Sequence, residues 1–151
     1  MSILSDNRQR FCLDVPESIR SLDLSRIEKK LATTLATDAE ELMVAVERYR
    51  GFLTLLVESG ETVVPTDDID EVWHAHILDT RAYARDSAAL FGRFMHHNPY
   101  IEEQDDPAHQ AELFTKTAEL WQSRFGMPYV GDGGMCNNGG CDGGSCNGPG
   151  D

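Results

Sequence analysis

The stretch that decides the fold class is Thr37-Asp-Ala-Glu-Glu-Leu-Met-Val-Ala-Val-Glu-Arg-Tyr-Arg-Gly-Phe-Leu-Thr-Leu-Leu-Val-Glu-Ser-Gly60. Leu42, Val46, Tyr49, Leu53 and Leu56 step by 4, 3, 4 and 3 residues, which aligns them on one face of an α-helix. Thr37 with Glu40 three residues later predicts a capping box, and Gly60 offers the stop. Gly51 sits inside the helix at a cost of about 1 kcal/mol relative to Ala. That placement points to a local bend or a close helix crossing.

Outward from this helix the same period recurs. Asp23 or Ser25 can cap an earlier helix carrying Leu24, Ile27, Leu31 and Leu35. Downstream, Glu61 to Pro65 is a short connection, and Pro65-Thr66-Asp67-Asp68 starts a third helix with carboxylates at its positive end. Asp106-Pro107 starts a fourth, in which Ala111, Phe114, Ala118, Trp121 and Phe125 share a face until Gly126. Trp73, Phe114 and Trp121 are the expected aromatic core. The expectation is an all-α fold, a compact antiparallel bundle of about four helices over residues 23–130. Residues 1–22 read as a loosely packed N-terminal arm and residues 131–151 as a flexible Gly/Cys-rich tail.

Chemistry concentrates in the third helix and just beyond it. Four of the five histidines, His74, His76, His96 and His97, fall within 24 residues. Imidazole is the commonest metal ligand, so the cluster needs an explanation that a plain helical core does not supply. On a continuous helix Ile69, Trp73, His76, Thr80 and Tyr83 share one face, whereas His74 points away and lies one turn after Asp70. Asp70 can therefore orient the His74 ring. Pro99 disfavours helix at Asn98, so one of His96 and His97 can turn inward. Asp70 with one histidine of each pair would supply the three ligands of an open metal site. The expected inward pair is His76 and His97, with His74 at the rim. The competing reading makes His76 a hydrogen-bonded core residue. Trp73, Phe91, Phe94 and Tyr100 read as core, and His109 as a solvated side chain.

Asp70-x-x-Trp73-His74-x-His76, Phe91-Gly92-x-Phe94-x-His96-His97-x-Pro99-Tyr100 and Phe125-Gly126-x-Pro128-Tyr129 together resemble the centre of the glycine-rich domain-containing protein-like family of bacteria and plants. The resemblance spans roughly residues 40–130. It implies a small helical domain, often beside a Gly-rich segment, and carries no established activity to these positions.

In residues 131–151, nine of 21 are Gly, and Cys136, Cys141 and Cys146 recur every five residues. Such thiols suit Zn, Cu(I) or an iron–sulfur unit, with Cys12, Asp142 or an external ligand able to complete a site; the alternative is a reduced tail without metal. Residues 1–50 carry 8 basic and 9 acidic side chains, whereas residues 51–151 carry 5 and 17. An acidic second half repels phosphate backbones and anionic bilayers, so neither nucleic acid nor membrane is an expected partner. No apolar run reaches the roughly 20 residues of a membrane span, and no signal-like order opens the chain, so the expected location is cytoplasmic.

Three functions remain open at this point. The first is a metal-binding protein whose ligands come from Asp70, His74, His76, His96, His97 and the tail thiols Cys136, Cys141 and Cys146, holding Zn, Cu or Fe. The second is an enzyme using the same His/Asp cluster to hold a catalytic metal. The third is a metal-free interaction module whose tail meets a protein partner.

Overall fold

A computed structural model describes residues 11–35, 37–97 and 107–130, and these contain six helices. They are α1 (Glu17–Arg20), α2 (Ser25–Thr34), α3 (Ala39–Ser59), α4 (Asp67–Leu78), α5 (Thr80–Phe91) and α6 (Pro107–Phe125). The all-α expectation holds: the described residues contain no strand. α3 is the hub, packing against α1, α2 and α4, while α4 also contacts α2 and α5.

The central helix forms where its apolar spacing places it, but its cap lies one residue later than the capping box predicts. Asp38 is the N-cap and its carboxylate accepts from the Glu41 N–H at 2.8 Å, while Thr37 bonds the Glu41 side chain. Gly60 ends the helix in the left-handed conformation at φ 67°. Gly51 marks a close crossing. A Cβ there would lie 2.6 Å from the Trp121 ring of α6 and 2.7 Å from Leu13, so only hydrogen lets both pack onto α3.

Two expectations about extent need correction. Residues 11–22 are not loosely attached: Leu13 and Ile19 are buried in the core, and α1 adds a short helical turn. Glu47 of α3 explains the attachment, since its carboxylate accepts from Leu13 N–H and from the two terminal guanidinium nitrogens of Arg20, each at 2.7 Å. The predicted third helix is two helices. Asp79 leaves helical geometry at φ −84° and ψ 72°, with its N–H shared between Ala75 O and His76 O. The face that a continuous helix would give Thr80 and Tyr83 is thereby lost, and α5 folds back toward α4.

In α6 the buried line is Leu113, Thr117 and Trp121; Phe114, Ala118 and Phe125 flank it and are partly covered. Trp73 and Trp121 are buried as expected, whereas Phe114 is only partly so. No described helix is long and apolar enough to cross a membrane.

Candidate metal centre

The start of α4 is fixed before the site begins. Arg48 of α3 donates to Asp68 at 2.8 Å and to Thr66 at 2.9 Å, and all three side chains are buried. A buried ion pair of this kind is costly to break because the survivor is left uncompensated. The Tyr129 hydroxyl donates to Val64 O at 2.8 Å and accepts from Thr66 N–H at 3.2 Å, so the chain after α6 anchors the same loop. Val64 N–H also donates to Thr117 of α6 at 3.0 Å. This packing explains why the isolated-looking segment 61–66 is held in place.

From that base α4 presents Asp70 and His74 one turn apart on its half-exposed face. His97 arrives from the other side. Gly92 ends α5 at φ 73°, and residues 93–97 run back over α4. Tyr83 governs that return: its hydroxyl accepts from Trp73 Nε1–H at 3.0 Å and donates to Met95 O, two residues before His97. Burial pushes the Tyr83 phenol pKa up, which keeps it a donor. The His97 ring then stacks on Trp73, with centroids 4.0 Å apart and planes 25° from parallel.

Three ligand atoms converge as a result. His74 Nε2 lies 2.9 Å from His97 Nε2, and Asp70 Oδ1 lies 3.3 Å from the first and 3.0 Å from the second. Among the described residues this is the group of His, Cys, Asp and Glu side chains whose arrangement could hold a metal ion. It opens into a cleft of about 560 Å³ lined by Trp73, Met95, Val63, Pro65 and the polar side chains of Glu61, Asp67, Arg93 and His96.

The expected pairing of His76 with His97 is not what the geometry brings together; His74 takes that place. His76 is 1% exposed, and both its nitrogens are engaged, Nδ1 with the Tyr49 hydroxyl at 2.7 Å and Nε2 with Asp86 at 2.9 Å. Its ring also meets Tyr49 and Tyr83 edge-on. Burial lowers the His76 pKa although Asp86 acts in the opposite direction. His96 is exposed, packs on Phe94 at 4.9 Å and lines the cleft without joining the trio. His109 is exposed on α6. Asn98, Pro99, Tyr100 and the tail thiols Cys136, Cys141 and Cys146 lie outside the described residues, whereas Cys12 is a free thiol far along the chain from the trio.

Tyr49, Tyr83 and Asp86 did not stand out as site residues in the sequence. Only the break at Asp79 brings Tyr83 and Asp86 beside α4, and no apolar period announces a one-residue break.

The match to the UCP032817-like family model extends over residues 17–121, from α1 to Trp121, and includes all three converging residues. The chain belongs to the UCP032817-like family. Two curated relatives from Arabidopsis thaliana, Glycine-rich domain-containing protein 1 and Glycine-rich domain-containing protein 2, are 33% and 31% identical to it over 99 residues. These confirm the expected kinship with glycine-rich domain-containing proteins. The aligned segment is 62% of this chain in each case but spans only 12% and 13% of those relatives' lengths. No solved structure matches the chain.

Proposed function

We propose that this domain binds a divalent transition metal through Asp70 Oδ1, His74 Nε2 and His97 Nε2. The observation that carries the reading is the separation of these atoms, 2.9, 3.0 and 3.3 Å. Two ligands about 2.1 Å from one ion stand about 3.0 Å apart at a right angle and about 3.4 Å apart at the tetrahedral angle. The trio therefore spans the face of a coordination polyhedron, and a two-histidine, one-carboxylate face suits Zn or Fe(II) while leaving further positions open.

The surroundings support the same reading. Stacking on Trp73 fixes the His97 ring plane, and the spacing of Asp70 one turn before His74 brings both ligand atoms to one point without a change of backbone. The tail belongs to the proposal as a soft-metal or redox element, since Cys136, Cys141 and Cys146 are thiols spaced by glycines that let them converge. The setting proposed is cytoplasmic, where such thiols stay reduced. A metal-dependent enzyme is the second reading, favoured by the opening of the trio into a cleft.

Calorimetric titration with Zn tests the assignment. To separate the bundle site from the tail, the full chain is used with Cys136, Cys141 and Cys146 replaced by Ser. One ion should bind, and His74→Ala or His97→Ala should weaken it more than about a hundredfold, since each removes a direct ligand. Binding unaltered by both substitutions, or no binding to this chain, would refute the bundle site.

A further inference from the structure

We infer that the metal site binds a small carboxylic acid, whose carboxylate ligates the ion while pairing with Arg93 and whose apolar body lies in the adjoining cleft. The inference rests on the metal-binding reading above. Three features of the cleft carry it.

The first is coordination. Three protein ligands on one face leave other positions of the ion free, and all three ligand residues line the cleft, which gives a second ligand a route to those positions. A carboxylate with an adjacent oxygen, as in a 2-oxo acid, can fill two such positions.

The second is Arg93. Its side chain lines the same cleft as Asp70, His74 and His97, and it is exposed. Among the described residues it has no hydrogen-bond or ion-pair partner. Arg20 pairs with Glu47, Arg48 with Asp68 and Arg124 with Glu58, and Arg81, which has no partner among the described residues either, does not line the cleft. A guanidinium on the wall of the cleft that contains the trio, with its fork unused, matches a carboxylate in shape and charge.

The third feature selects among anions. Glu61 and Asp67 line the cleft too. With a divalent ion and Asp70 contributing one net positive charge and Arg93 another, these two carboxylates offset the total, so the cleft does not attract anions as a field. In such a neutral total the second charge of phosphate gains nothing, and phosphate has no apolar body to bury, whereas direct ligation and the Arg93 fork suffice for one carboxylate. Trp73, Met95, Val63 and Pro65 provide an apolar wall, and about 560 Å³ falls in the range of small-molecule pockets.

The test uses the full chain with Cys136, Cys141 and Cys146 replaced by Ser and loaded with Co(II), whose visible absorption reports its coordination. 4-Methyl-2-oxopentanoate is the probe, with its amide and inorganic phosphate as comparisons. The acid should shift the spectrum saturably, and the amide and phosphate should bind at least about tenfold more weakly. Arg93→Gln should weaken the acid by about tenfold without weakening Co(II), because loss of a nearby positive charge does not disfavour a cation, and Arg93→Lys should recover part of the loss. Co(II) binding with no response to the acid overturns the ligand assignment and leaves the metal site standing. So does a response that Arg93→Gln leaves unchanged, or equal binding of phosphate. Failure of Co(II) itself to bind removes both.

Discussion

Tyr83→Phe separates the arrangement of the site from its ligands, because Tyr83 touches none of the three ligand atoms yet holds two of the segments that bring them together. The substitution keeps the ring and its edge contacts with His76 at 4.9 Å and Phe94 at 5.2 Å between centroids. It removes one oxygen. That oxygen accepts from Trp73 Nε1–H and donates to Met95 O. Each hydrogen bond contributes about 1 kcal/mol net, and leaving a buried indole N–H without a partner adds about 1 kcal/mol more. Trp73 is only 4% exposed, so water cannot readily replace the phenol, whereas the Met95 carbonyl is nearer the surface and can turn to solvent. The expected loss is therefore about 2–3 kcal/mol of unfolding free energy. Urea denaturation reads it as a lower midpoint with an unchanged slope. Release of Met95 also loosens the approach of His97, so Zn affinity should fall by about 10- to 100-fold, as for other groups that orient metal ligands. A midpoint within error of the parent would refute the hydrogen-bond reasoning. Lost stability with unchanged Zn affinity would refute the positioning role alone.

Other substitutions probe the frame around the site. Gly51→Ala gains about 1 kcal/mol of helix propensity but forces a methyl against the Trp121 ring at 2.6 Å, and overpacking of about 1–3 kcal/mol should win, so thermal unfolding should move down rather than up. Trp121→Ala should cost about 3–5 kcal/mol in chemical denaturation, because the ring is fully buried and meets Phe125 and Tyr129. Glu47 supplies a pH dependence: burial alone would raise its pKa, but the Arg20 fork and the Leu13 N–H outweigh burial and lower it. Its contribution is complete above the unfolded value, about 4.3, and is lost as pH falls through the lower folded value. The stability gap between the parent and Glu47→Gln should therefore narrow on acidification below about pH 4; a gap that widens would contradict the sign.

Much of the helical frame was legible because it repeats one signal. Leu42, Val46, Tyr49 and Leu53 of α3 are spaced for a buried face, and all four are buried. The same rule failed where its assumption of a continuous helix failed. Asp79 interrupts the motif helix, so residues counted onto one face, His76 and Tyr83, meet across two helices as ring partners instead. The family resemblance was legible from the Trp73, His74, His76 and Phe91-to-Tyr100 motifs, and the family match bears it out. The site was half legible. Asp70 beside His74 follows from an i,i+4 spacing, and a partner from the later histidine pair was expected. The choice of His74 over His76 was not, since it depends on Tyr49 and Asp86 occupying both His76 nitrogens, and those contacts join residues 27 and 10 positions apart in sequence. Arg93 carries no local signal at all; its meaning comes from the cleft it lines.

The central claim is that one metal ion is held by His74 and His97 with Asp70, and the imidazole ¹⁵N spectrum of the full chain with Cys136, Cys141 and Cys146 replaced by Ser, followed during Zn titration, tests it most directly. Ring nitrogens report ligation individually, and zinc requires the ligating nitrogen to be unprotonated. The account predicts that the Nε2 resonances of His74 and His97 move together and saturate with one equivalent of Zn. The His76 resonances should stay in place, held by Tyr49 and Asp86. Unmoved His74 and His97 resonances at saturating Zn, or a change confined to His76, would contradict it.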